Sequence, residues 1–143
     1  MILHQKSHTD HISKKILVWV MHHFREKKAF FTETVQIPDG LPAVTCGLYG
    51  PLMGDDPVPE EEVRYQVRDG REWPSRLVNK PMRLTREITI IGGPYESLTC
   101  ILYTAFGGPL APREPGDPTL DQDQRAESEA FWKTHALSSP EKV

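Results

Sequence analysis

The chain has 143 residues and a formal net charge of −3, with 38% apolar and 26% charged residues. That is one globular domain's worth of chain, too apolar for full disorder. Its longest apolar run, Ile16–Met21, falls far short of the roughly 20 residues of a membrane span. The start, Met1-Ile2-Leu3-His4-Gln5-Lys6, lacks the order of a secretion signal, so a cytoplasmic chain away from membranes is expected.

In chain order, residues 1–9 look frayed or partly helical, and Asp10 is placed to cap a helix behind it. That helix is predicted from about His11 to Lys28. Ile12, Ile16, Trp19, Met21 and Phe24 fit a 3.6 period, Leu17, Val18 and Val20 widen the apolar face, and Lys27 and Lys28 suit its C-terminal end. Such a face suits a helix lying on a sheet. Strand formers fill Ala29–Ile37 and Ala43–Leu48, which could pair around Pro38-Asp39-Gly40. Gly50–Pro59 is a loop. Val63, Tyr65 and Val67 alternate with charged and polar residues before Asp69-Gly70, a strand with a hairpin signal, although Pro59 and three glutamates would also start a helix.

Trp73–Pro81 reads as irregular because Pro74 and Pro81 bracket it. Met82–Ile91 and Ser97–Phe106 form a hairpin about Gly92-Gly93-Pro94-Tyr95, and the second run, the most apolar, should be central. Gly107–Pro118 holds four prolines and cannot be regular. Thr119 with Gln122 makes a capping box for a helix from about Leu120 to Ala136, whose thin apolar face should pack at a margin. The fold class is α+β: an antiparallel sheet of four to five strands, an N-terminal helix on one face and a C-terminal helix at the margin, in one domain over 1–137 with a tail at 138–143.

Charge is unevenly spread. Residues 50–62 carry five acids and no base, whereas 63–86 carry seven bases against Asp69 and Glu72. Six of those seven are arginine, whose planar fork grips carboxylate or phosphate with two bonds. Arg64, Arg68, Arg83 and Arg86 are therefore candidate anion contacts, with internal ion pairing as the plainer use. The stiff segment after the last strand adds Arg113 and Glu114 as candidate catalytic groups, and Gly107 and Gly108, which allow close backbone approach to a ligand or another strand. Tyr49, in a similar Gly/Pro loop, and Tyr103 and Thr104 complete the candidate binding set.

Cys46 and Cys100 sit in predicted strands, without a C-x-x-C spacing, and read as small buried side chains in a reducing compartment. His4, His8 and His11 would share a face only if helical, and no metal or cofactor is expected.

The leading helix, the strand meander and the late strand ending in Tyr103-Thr104-Ala105-Phe106 resemble the small endoribonuclease toxins of the barnase and RelE-like group, over about residues 10–110. The resemblance implies a helix packed on a twisted antiparallel sheet whose face binds RNA, with Thr104 as a late-strand contact. The segment Gly107–Asp117 also resembles a signature of small bacterial proteins.

Three functions compete. The first is a binding module docking an anionic ligand, a protein partner or its own copy, anchored by aromatics such as Trp73, Tyr49 or Phe106. The second is a metal-independent endoribonuclease. The third is a small-molecule enzyme with a pocket lined by Tyr49, Tyr103 and Arg113. The residues favour the first, with RNA cleavage as the alternative, and whether the chain is an enzyme stays open.

Overall fold

The computed structural model describes residues 1–8, 12–68, 71–96 and 99–139, with residues 4–8, 66–68 and 71–75 described by backbone only. Its strands are β1 (Ile2–His8), β2 (Phe31–Gln36), β3 (Val44–Cys46), β4 (Leu48–Tyr49), β5 (Val63–Arg68), β6 (Arg71–Val78), β7 (Arg83–Thr85), β8 (Glu87–Tyr95), β9 (Thr99–Gly107) and β10 (Ala136–Ser138). The helices are α1 (Lys14–His23) and α2 (Gln122–Trp132), and short 3-10 turns cover Pro51–Met53 and Glu60–Glu62. The class is α+β with mostly antiparallel pairing and one helix towards each end of the chain, as the sequence predicts. The strands form two four-stranded sheets and one pair. They fall in two compact units: residues Met1–Cys46 with Arg83–Leu110, and Gly47–Met82 with Ala111–Val143.

In the first unit the sheet order is β1-β9-β8-β2. The apolar β9 lies inside that sheet, antiparallel to β8 and parallel to β1. Residues expected to fray thus form a strand, because β9 offers an unpaired edge to the chain's first residues. Helix α1 begins at Ser13, whose hydroxyl accepts from the Ile16 amide at 3.4 Å. The expected cap, Asp10, lies outside the described residues, as does His11. Ile12, Ile16, Val20 and Phe24 meet Phe31, Ile88, Ile90, Cys100 and Leu102 in one buried cluster. Val18 instead faces solvent, so the apolar stripe is narrower than its composition suggests. The helix ends at His23, short of Lys28, where Arg25 Nη1 bonds the His22 carbonyl at 2.8 Å. Lys27 turns back to pair with Glu33 on β2.

The two strands of one expected pairing take other partners. β2 pairs with β8 and β3 with β7, so Pro38-Asp39-Gly40 does not close a hairpin between β2 and β3. The predicted strand 43–48 is split between β3 and β4, in different sheets. The β8–β9 hairpin does form, but β8 continues through Gly92-Gly93-Pro94 to Tyr95. The register shifts between Ile91 and Gly92. A Cβ on Gly93 would lie 2.7 Å from the Tyr103 ring, so these glycines give room to cross-strand rings rather than a turn.

In the second unit the sheet order is β4-β10-β6-β5. The hairpin signal at Asp69-Gly70, residues outside the described set, is met by the antiparallel pairing of β5 with β6. β6 runs through Pro74, where the sequence predicts an irregular segment. A proline is tolerated there because β10 pairs only with Leu77 and Val78, and the β5 register shifts between Gln66 and Arg68. Ala136–Ser138, expected to end the last helix and begin a tail, form a strand between β4 and β6. The Ser139 amide adds a bond to the Val78 carbonyl at 2.8 Å.

Helix α2 is capped by Asp121 with Gln124, two residues beyond the expected Thr119 and Gln122. At its far end stands His135, 6% exposed. The Leu52 amide donates to its Nε2 at 3.0 Å, and its Nδ1 lies 2.9 Å from the Phe131 carbonyl. Because Nε2 accepts, Nδ1 carries the proton and donates. His135 thereby ties the Pro51–Met53 turn to the end of α2.

Candidate functional site

The eleven residues singled out from sequence divide between the two units. Arg83, Arg86, Tyr103, Thr104, Gly107 and Gly108 belong to the first. Tyr49, Arg64, Arg68, Arg113 and Glu114 belong to the second.

In the first unit, Arg86 Nη2 donates to the carbonyls of Pro38 and Leu41 at 2.7 and 2.8 Å, fastening the turn after β2. Arg83 sits opposite Cys46 in the β3–β7 pair. Tyr103 is exposed with its ring against Gly93, and half-buried Thr104 pairs with Ile91. Gly107 and Gly108 serve approach to a strand: a Cβ on Gly107 would lie 2.1 Å from the Thr45 carbonyl oxygen, and one on Gly108 2.5 Å from Cys46 Sγ. Gly108 also has φ +95, which favours glycine. Cys46 and Cys100 are buried and form no disulfide. Burial raises the Cys100 thiol above its usual range. His4 and His8 lie on a strand, so the helical spacing that would have joined them to His11 does not apply.

In the second unit, the Tyr49 hydroxyl donates to the Pro81 carbonyl, and Lys80 Nζ stands 5.5 Å from the centre of its ring. Arg64 is exposed on β5, and Arg68 ends that strand opposite Arg71. Exposed Arg113 donates to Thr119 Oγ1 at 2.8 Å. The amide and hydroxyl of Thr119 donate to Asp117 at 2.8 and 2.7 Å. The Thr119 amide is the chief reason that the Asp117 carboxyl lies below its usual range.

The proline-rich segment is fastened to α2. Arg125 Nη1 donates to the Pro115 carbonyl at 2.9 Å, the Trp132 indole N–H reaches the Pro112 and Arg113 carbonyls at 3.3 and 3.4 Å, and Ser128 Oγ donates to the Arg113 carbonyl. Beside this segment lies a cavity of about 240 Å³, lined by Glu60, Tyr65, Arg76, Pro115, Glu129, Trp132 and Lys133. The most deeply buried charge in that lining is Arg76, which is 6% exposed. Arg76 stands directly opposite Tyr65 in the β5–β6 pair, so both face one side of the sheet. Its Nη1 donates to the Trp132 carbonyl, its Nη2 lies 3.4 Å from Glu60 Oε2, and its Nε has no hydrogen-bond partner among the described residues. Tyr65 donates to the other Glu60 oxygen at 3.3 Å.

In the sequence Arg76 is one of the mid-chain bases and nothing singles it out. Its neighbours Leu77 and Val78 hint at burial, but burial of Arg76 itself depends on Trp132, far along the chain. Among the described residues that line it, none is Ser, Thr, Cys or His. Among the described residues no cluster of three or more His, Cys, Asp or Glu side chains is placed to hold a metal, and no helix is long and apolar enough to cross a membrane.

No family model, curated protein or solved structure matches this chain.

Proposed function

We propose that the chain is a cytoplasmic binding module, and that the pocket between β6, α2 and the proline-rich segment receives one small group of a ligand or partner without turning it over. The observation that carries this reading is Arg76, a guanidinium buried to 6% exposure at the wall of the cavity. Burying a charge costs several kcal/mol unless it is well paired. Here the pairing is incomplete: one backbone carbonyl, one distant carboxylate oxygen, and an Nε–H with no partner. A tie between β6 and α2 alone would be met at lower cost by a neutral donor.

The size of the cavity supports one ring or side chain. Pockets for drug-sized ligands run about 300–1,000 Å³, and this one is about 240 Å³. Trp132, Tyr65 and Pro115 supply flat apolar walls, suited to an aromatic or aliphatic group with a polar end. Cys46 and Cys100, buried and without a disulfide, fit a reducing compartment.

The test is a titration of one-ring compounds (benzoate, benzamide and benzylamine) into ¹⁵N-labelled protein. The Trp132 indole signal is assigned with Trp132→Phe. A saturable shift of that signal, with the Trp19 indole unmoved, is expected for at least one compound. No shift from any of the three overturns the reading.

A further inference from the structure

We propose that the group recognised in this pocket is a carboxylate carried on a ring, and that Glu60 holds its place when the pocket is empty. This rests on the binding-module reading above.

The geometry of Arg76 supports a carboxylate. Nε–H and one terminal NH₂ of a guanidinium lie on the same edge, and together they match the two oxygens of a carboxylate. In Arg76 the Nη1 side is taken by the Trp132 carbonyl. Of the remaining donors, Nη2 meets only one oxygen of Glu60, at 3.4 Å, and Nε meets none. A charge-assisted N–H···O bond is ordinarily about 2.7–2.9 Å, so this contact is loose.

The asymmetry of the pair supports exchange. The Arg76 side chain is 7% exposed, whereas that of Glu60 is 74% exposed. Glu60 opens the short 3-10 turn after Pro59 and places one carboxylate oxygen by Arg76 and the other by Tyr65. At 74% exposure its side chain is free to swing into water. An incoming carboxylate would then take both free donors of Arg76 and the Tyr65 hydroxyl, while its ring lies against Trp132 and Pro115. The charges at the mouth favour a monoanion. Glu60 and Glu129 oppose a dianionic phosphate, and Lys133 is the one further base in the lining.

The experiment compares benzoate and benzamide, equal in shape and different in charge, on wild type, Glu60→Gln, Glu60→Ala and Glu129→Gln, read at the Trp132 indole. Removing the internal competitor should tighten benzoate about tenfold in both Glu60 variants, the worth of roughly one charge-assisted hydrogen bond. Benzamide should gain nothing. Glu129→Gln, which removes a charge from the same lining, should give a clearly smaller gain for benzoate. Equal benzoate affinity in wild type and both Glu60 variants overturns the proposal, and so does a gain in Glu129→Gln matching that of Glu60→Gln. A Trp132 response to benzamide or benzylamine but not to benzoate overturns the carboxylate assignment and leaves the binding module standing. Silence from every compound in every variant overturns both. N-acetylphenylalanine, run beside benzoate, separates a peptide chain end from a free aromatic acid as the source of the carboxylate, by which of the two binds more tightly.

Discussion

Arg76, on β6, donates a hydrogen bond from its guanidinium to the backbone carbonyl of Trp132, 56 positions further along the chain at the last turn of α2. It satisfies a carbonyl that the end of a helix leaves without an intrahelical partner. The residue is therefore structural as well as a candidate ligand contact.

Arg76→Ala removes this bond and leaves a buried carbonyl and a void. Leaving a buried carbonyl unpaired costs about 1–3 kcal/mol, and the lost packing of the side chain adds to it. Urea unfolding should show a midpoint lowered accordingly, with little change in slope. A loss below about 1 kcal/mol would mean that the bond is loosely held and that Arg76 is not fixed in the lining of a built pocket.

Gly108 faces Cys46 so closely that the two should be coupled. Gly108→Ala places a methyl 2.5 Å from the Cys46 Sγ, well inside van der Waals contact, and forces alanine to φ +95. The backbone strain alone is worth about 1–3 kcal/mol. Cys46→Ala removes the steric part but not the strain. The double variant should therefore recover part of the loss caused by Gly108→Ala. Strict additivity in the four-protein cycle would exclude the contact.

Asp117 links stability to acidity. Its folded carboxyl lies below the usual value near 3.8 because Thr119 donates to the ionised form. A depressed folded value adds stability that is present above the unfolded pKa and is lost as pH falls through the folded one. Wild type should thus lose more stability than Asp117→Asn as pH is lowered from 5 towards 3. Parallel thermal melts of the two proteins across that range would contradict it.

Cys100 should resist alkylation. Burial raises its thiol pKa, so the thiolate is scarce at neutral pH, and the group lies beneath Phe24, whose carbonyl is 3.8 Å from its sulfur. Iodoacetamide treatment and peptide mass mapping should show slow labelling in native protein and rapid labelling in urea. Equal rates in the two conditions would place the residue outside the core.

Arg113 and Glu114 bear on the nuclease alternative. Arg113 is bonded to Thr119, and its carbonyl is a fastening point for α2. Bulk RNA incubated with the wild type should stay intact, and Arg113→Ala should lower thermal stability modestly. Cleavage by wild type that disappears in both Arg113→Ala and Glu114→Ala would restore the endoribonuclease reading.

Local patterns carried much of the architecture. The alternation in Val63–Arg68, the β-branched run Ile88–Ile91, the apolar strand ending at Phe106 and the period of Ile12, Ile16, Val20 and Phe24 each mark an element that forms. Those signals depend on which side chains sit two, three or four positions apart, and a chain can be read for them without folding it. The candidate site was much less legible. Arg76 resembles its neighbouring arginines in composition, and only its register opposite Tyr65 and the return of α2 over it set it apart.

From the residues alone come the α+β class, the two helices, the strand-forming runs behind β2, β5, β8 and β9 and the stiffness of the segment after Phe106, because propensity, turn chemistry and proline act over a few positions. Tertiary structure decided that residues 2–8 join β9, that β2 and β3 take distant partners, that Ala136–Ser138 enter a sheet, and that Arg76 is buried. Each of those outcomes depends on an unpaired strand edge or an orphaned carbonyl supplied from far along the chain, and only folding brings such groups within hydrogen-bond reach.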